Sequence, residues 1–215
     1  MPFERAWIGT DLPECRPCRA TYDMYKGPLP EITPSMCADL CFLNEDESEM
    51  PDQPYVDPNA RAAEETALFI DRMNQEYGLS ASFVRMMKSP RLQWCVPSCT
   101  SSYFDLDIAP LLIGDVHYLL FYRDQQDCIG WYLVLDGEDK GCVVASQIVQ
   151  LHAYGGDVDA TSFQEQSVIC AASFDEFVYR MWVENHLWFN KSKPARIVAA
   201  YEAYAQEYKR LNSAN

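Results

Sequence analysis

Four cysteines near the start of the chain have the residue type and spacing to hold a metal ion. Two residues separate Cys15 from Cys18 and three separate Cys37 from Cys41, with eighteen between the pairs. Four thiolates so placed could fix a tetrahedral zinc, and such a site would order a proline-rich segment. A second role fits the later pair: a helical turn over residues 35–42 puts Cys37 and Cys41 on one side, where they pack as core residues. Zinc on Cys15, Cys18, Cys37 and Cys41 therefore stands as a candidate beside ordinary thiols, and no other cofactor is implied. Cys95 and Cys99 flank Pro97 with no histidine close in sequence, which suits a tight structural turn.

Other catalytic chemistry is sparse. The three histidines are His117, in a strand-like run, His152, and His186, in an aromatic helical run. His117 and His186 read as packed or surface imidazoles rather than general bases. No nucleophile signature accompanies the cysteines, and phosphate-binding glycine loops and metal-hydrolase patterns are missing, so the chain reads as non-enzymatic. Acids cluster in polar turns: Asp124 and Asp127 flank one, Asp136, Glu138 and Asp139 another, and Asp157 and Asp159 sit in a Gly/Asp-rich loop over 154–163. Carboxylates on exposed turns lack the burial that tunes a pKa for proton transfer. They suit contacts with a basic partner, and these seven residues are the expected partner-facing set.

Charge agrees with that partner. The 215 residues carry a formal net charge of −15, and hydrophobic residues make up 48% of the chain, which excludes a disordered polyelectrolyte. A surface so acidic repels nucleic acid and anionic membranes. Two blocks hold most of the excess: residues 1–60 with 12 acids against 4 bases, and residues 101–190 with 14 against 3. The absence of a basic-plus-apolar leader or a long apolar run predicts a soluble protein. Nine cysteines, an odd number, with Cys128, Cys142 and Cys170 in apolar runs as small buried hydrophobes, fit the reducing cytoplasm.

These residues need a scaffold. Nine of the thirteen prolines fall in residues 1–58, so 1–56 is expected to be an irregular extension that wraps or tethers a domain spanning 57–215. Asp57-Pro58 suits a helix start, with Leu68 or Phe69, Ile70, Met73 and Tyr77 at helical spacing and Gly78 as the stop. Ser80 caps a second helix that ends before Ser89-Pro90. From residue 101 the period shortens, and strands are expected over 103–108, 116–122, 129–135, 142–146 and 167–171, joined by short turns that favour antiparallel neighbours. Ser173-Phe-Asp-Glu176 has the form of a capping box. The helix it opens carries Phe177, Met181, Trp182, Trp188 and Phe189 on an apolar face. A final helix over 194–211 aligns Ile197, Tyr201, Tyr204, Tyr208 and Leu211. Trp131, Phe177 and Trp182 are expected in the core.

Three stretches together resemble a known family. The first is Glu76-Tyr-Gly-Leu-Ser80, Phe83, Met87-Lys-Ser-Pro-Arg-Leu-Gln-Trp-Cys-Val-Pro-Ser-Cys-Thr100 and Tyr103-Phe-Asp-Leu106. The second is Tyr118-Leu-Leu-Phe-Tyr-Arg-Asp-Gln-Gln-Asp-Cys-Ile-Gly-Trp-Tyr-Leu-Val-Leu-Asp136, and the third Ile169-Cys-Ala-Ala-Ser-Phe-Asp-Glu-Phe-Val-Tyr-Arg-Met-Trp-Val-Glu-Asn185. Their order and spacing, over roughly residues 60–190, resemble the SUKH superfamily, bacterial relatives of the yeast cell-wall-synthesis regulator. Asp175 stands where a glutamate is usual in that helix start. The resemblance implies an α+β domain with a central, mainly antiparallel sheet flanked by helices. It further implies an immunity protein that neutralises a cognate toxin by occlusion, or, as in the eukaryotic relatives, a regulatory scaffold that binds a host protein. It carries over no catalytic or contact residue and leaves the N-terminal cysteines unexplained.

Overall fold

A meander of four antiparallel strands forms the centre of the molecule. The computed structural model describes residues 3–10, 12, 22–48, 63–147, 159–189 and 195–213. Strand β4 (Val116–Arg123) pairs with β5 (Gly130–Val134), β5 with β6 (Val143–Ser146) and β6 with β7 (Ser167–Ala171), all antiparallel. On the far side of β4 lie β2 (Tyr103–Phe104) and β3 (Leu111–Ile113), each antiparallel to it. The two-residue β1 (Glu4–Arg5) joins β7 in parallel and completes the order β1-β7-β6-β5-β4-β2. This is the expected α+β architecture with a mainly antiparallel sheet. The strand expected over 103–108 is interrupted: β2 ends at Phe104, the chain bends at 108–109 just before Pro110, which lacks a donor, and resumes as β3.

Among the described residues the helices are α1 (Pro34–Cys37), α2 (Ala63–Tyr77), α3 (Ala81–Lys88), α4 (Pro90–Gln93), α5 (Ala160–Glu165), α6 (Phe174–Phe189) and α7 (Ala195–Asn212). The expected helix signals operate as chemistry. Phe69, Ile70 and Met73 are buried on α2 while Leu68 stays 70% exposed, and Gly78 ends the helix at φ 63°. The Ser80 hydroxyl accepts from the Phe83 amide at 3.2 Å. Ser173 accepts from the Glu176 amide at 3.1 Å, and the Glu176 carboxylate reaches back to the Ala172 amide at 2.9 Å, one residue before the usual capping-box position. The start proposed at Asp57-Pro58 lies outside the described residues. Part of the Gly/Asp-rich stretch expected as loop is helical, because Asp159 caps α5 by accepting from the Thr161 and Ser162 amides.

Helix α6 is the axis of the core, buried on every side from Phe177 to His186. Phe177 meets Phe121, Tyr122 and Trp131 of the sheet, with ring centroids 5.4, 5.9 and 6.1 Å away. Phe42 covers the opposite side against Tyr179 and Trp182 at 5.0 and 5.1 Å. The proline-rich N-terminal region thus supplies core as well as wrapping. Beyond β1, it buries Trp7, Ile8 and Leu40 at no more than 1% exposure, and Trp7 packs on Phe177. Tyr204 and Tyr208 of α7 close the remaining side. Truncating Trp7 to alanine removes a side chain of a kind worth about 3–5 kcal/mol in a core.

One irregularity matters for the surface. The register passes from Leu120 opposite Tyr132 to Tyr122 opposite Trp131, so β4 holds one extra residue at Phe121. Tyr118 and Leu120 face one core cluster, and without the bulge Tyr122 would join them. Instead Phe121 and Tyr122 both belong to the helix-side cluster. No helix of the described residues is long and apolar enough to cross a membrane.

Candidate protein-binding surface

The cysteine quartet is not assembled among the described residues, because Cys15 and Cys18 lie outside them. Cys37 is buried and donates to the Thr33 carbonyl, while the exposed Cys41 donates to the Met36 carbonyl. Burial, reinforced by Asp175, Glu176 and Cys41, pushes the Cys37 thiol up to about 11. It lines a cleft of about 490 Å³ with Asp39, Ser82, Asp175 and Glu176. A thiol held protonated among carboxylates is a poor nucleophile. No group of three or more metal-ligating side chains occurs among the described residues. Cys128 is exposed in the β4–β5 turn rather than buried, whereas Cys142 and Cys170 are buried as expected. Cys95 is buried in the expected turn, and the Cys99 amide donates to Asn185 Oδ1 at 2.6 Å.

The two described histidines, His117 and His186, each pack against neighbouring side chains. His186 packs edge-on against Trp182 at 5.2 Å. His117 pairs with Asp136, its Nδ1 lying 2.7 Å from Oδ2 while its amide donates to Oδ1 at 2.8 Å. Partial burial alone would raise the Asp136 carboxyl, but the His117 amide, the His117 ring and Lys140 outweigh it and hold the group below its ordinary range. His152 lies outside the described residues.

The acids expected to face a partner separate into two ends of the sheet. Asp136, Glu138 and Asp139 occupy the β5–β6 turn, with Glu138 exposed and the other two half-buried. Asp124 and Asp127 occupy the β4–β5 turn at the opposite end of β5. Asp124 is not partner-facing: it is 1% exposed, and its two oxygens accept from the Gln126 and Cys128 amides at 2.9 and 2.7 Å. A carboxylate bonding the backbone of its own turn organises that turn, which is why a sequence pattern of exposed acids included it. Asp127 stays half-exposed and contacts Arg123 at 3.3 Å. Asp159 is exposed as the α5 cap, and Asp157 lies outside the described residues.

Asp127 has neighbours that the turn pattern does not reveal. Asp105, just past β2, lies 3.0 Å from Arg123, so two carboxylates share one guanidinium. On the helix side of the same sheet corner a groove of about 570 Å³ opens between the α4–β2 connection and the end of α6. Phe104, Tyr122, Phe189 and Trp94 line it, with Ser98, Ser101 and Ser102 supplying hydroxyls. Phe104 and Tyr122 are register partners with rings 4.8 Å apart, so the β4 bulge sets an aromatic wall of the groove. Trp94 and Tyr103 on the groove, and Trp188 beside Phe189, are 44, 48 and 48% exposed. Large aromatics left this open beside a groove make it the candidate interaction surface among the described residues.

No protein-family model, curated protein or solved structure matches this chain.

Residue types alone did not single out a buried ionic cluster on α6. Glu184 is fully buried on α6, where its carboxylate accepts from Trp7 Nε1 at 2.8 Å, from the Tyr204 hydroxyl at 2.7 Å and from the Thr10 hydroxyl. One turn earlier Arg180 donates to the Tyr204 hydroxyl at 2.7 Å, and to Glu176 and the Pro30 carbonyl at 3.2 Å. Burial opposes the guanidinium charge, but Tyr204, Glu184 and Glu176 outweigh it and keep Arg180 protonated. Burial also raises the Tyr204 hydroxyl well above its ordinary range, and Glu184 adds to that. The hydrogen bonds of the cluster tie the N-terminal segment and α7 to α6, so it clamps three segments together. Its signal was the spacing of Glu176, Arg180 and Glu184, four residues apart in a helix that is buried from Phe177 to His186.

Proposed function

We propose that this chain is a non-enzymatic inhibitor of the immunity-protein type, which binds a basic toxin domain and blocks it by occlusion in the cytoplasm. The observation that carries the proposal is a groove flanked by exposed Trp94 and Tyr103, at a sheet corner that also holds the ion pairs of Arg123 with Asp105 and Asp127. Aromatic side chains give a protein interface its anchoring area, and surrounding charge gives it direction and association rate. A net charge of −15 favours a partner of opposite sign, and a nuclease with a phosphate-binding cleft is such a partner. The SUKH-like order of motifs and the α+β sheet agree with the same proposal.

The test is co-purification with the product of the neighbouring gene, followed by stopped-flow association at rising salt. The expected result is a stoichiometric complex that abolishes the partner's activity and associates more slowly as ionic strength increases. A neighbour that does not bind, or a complex whose association ignores salt, would sink the proposal.

A further inference from the structure

We propose that the free edge of the sheet at β3 accepts an extended, basic segment of the partner as an added strand, centred on Leu112. This rests on the protein-binding function above and specifies how the partner is held. Among the described residues, β2 and β3 have β4 on one side and no strand on the other. Ile113 faces Val116 across a two-residue turn, so these two exchange both backbone bonds and the next pair, Leu112 and His117, exchanges none. The bonds of His117 agree with that alternation: its carbonyl accepts from the Leu135 amide at 2.9 Å, and its own amide donates to Asp136 at 2.8 Å. The N–H and C=O of Leu112 therefore point away from β4, the arrangement that pairs with an incoming strand. The surface beside them is apolar, with Ile108 78% and Leu112 55% exposed.

Backbone geometry and charge together select the occupant. An outward N–H and C=O on an edge strand are complemented by another extended backbone, whereas a helix has its own N–H and C=O groups bonded internally. Residues 103–115 carry three acids and no lysine or arginine, and Asp115 stands exposed in the β3–β4 turn. Arg123, opposite Tyr103, is held between Asp105 and Asp127. A second copy of this chain would bring the same three acids and its net charge of −15 to the edge, so like charges oppose self-pairing. A strand with lysine or arginine at alternate positions brings the opposite sign. The bend at 108–109 and the missing donor of Pro110 confine the pairing to residues 111–113. A contact so short makes the apolar side chains and the charge part of the recognition.

The probe is a short synthetic peptide of alternating lysine and valine, titrated against the full chain while backbone amide shifts and amide hydrogen exchange are recorded. Binding should move the amides of Ile108 and of residues 111–113 above all others, and slow exchange of the Leu112 amide about tenfold or more. A glutamate–valine peptide reverses the charge, and N-methylation of every backbone nitrogen removes the donors; neither should bind. Leu112→Pro removes the outward N–H without touching a bond to β4, and should weaken the peptide about tenfold. Leu112→Lys, the second variant, keeps the N–H and sets a like charge against the peptide, and should weaken it as well. Far-UV circular dichroism checks that each variant is folded. The proposal is overturned if the glutamate or N-methylated peptide binds as tightly as the probe, if both variants bind like the parent, or if shifts gather elsewhere or do not occur. A Leu112 amide already protected without peptide also overturns it. Protection that grows with protein concentration then assigns the edge to a second copy, and protection that does not assigns it to another segment of this chain. Failure of the peptide with an intact partner complex removes the edge seat alone. Loss of the complex with the peptide still seated removes the inhibitor function instead.

Discussion

Replacing Arg180 with methionine tests the strongest energetic claim the fold makes. The substitution keeps an unbranched side chain of similar reach and removes the charge from a residue that is 2% exposed. It deletes three hydrogen bonds, to Tyr204, Glu176 and the Pro30 carbonyl. The two carboxylates it leaves differ in their remaining support. Glu176 keeps the Ala172 amide and is partly exposed. Glu184 has no exposure, but Trp7, Thr10 and Tyr204 still donate to it. Removing one member of a buried ion pair costs about 3–5 kcal/mol, and the three neutral donors place this case near about 3. For a chain of this length, a loss of about 3–5 kcal/mol lowers the melting temperature by about 6–20 °C. The assay is urea denaturation followed by fluorescence, with the slope checked for constancy so that the midpoint reports stability. Arg180→Met/Glu184→Leu should recover part of the loss, because it withdraws the stranded charge as well. A single variant that costs less than about 1 kcal/mol, or a double variant that costs the plain sum of its parts, would refute the clamp.

Two further outcomes follow from the acidic turns. Asp124→Ala strands the Gln126 and Cys128 amides and should cost about 1–3 kcal/mol, whereas Asp127→Ala, half-exposed and paired to one arginine, should cost less than about 1 by the same denaturation assay. Asp136 titrates below its ordinary value of 3.8 in the folded state, so its contribution is present above that value and fades as pH falls through the lower folded value. The acid limb of the stability–pH curve should therefore be shallower in His117→Phe than in the parent, and superimposable limbs would remove the pair from the account.

The legibility of the fold follows its local chemistry. Caps at Ser80 and Ser173, the stop at Gly78 and the aromatic runs of β4 and β5 act through neighbours a few residues away, so their patterns survive in one dimension. The burial of Trp7 does not, because its partners Phe177 and Glu184 lie far along the chain. A proline-rich region signals irregular backbone and says nothing about whether its aromatics are buried. Asp124 and Asp127 belong to one polar pentapeptide and look alike, yet the turn folds one inward and leaves the other half-exposed. The groove was hidden for another reason: Trp94 and Tyr103 have the residue types of a core, and the bulge that aims Tyr122 toward them leaves no distinctive residue in the sequence.

The clamp on α6 also sets an order of events for the nascent chain. Trp7 and Glu184 are 177 positions apart, and Tyr204 follows a further 20 positions along. Until Glu184 has emerged, Trp7 lacks its carboxylate acceptor, and until Tyr204 follows, Arg180 and Glu184 lack the hydroxyl between them. The hairpins of β4, β5 and β6 can close early because their partners are near in sequence, whereas the long-range clamp must close late. During that interval the helix that becomes the most buried in the molecule is the one most in need of protection by a chaperone.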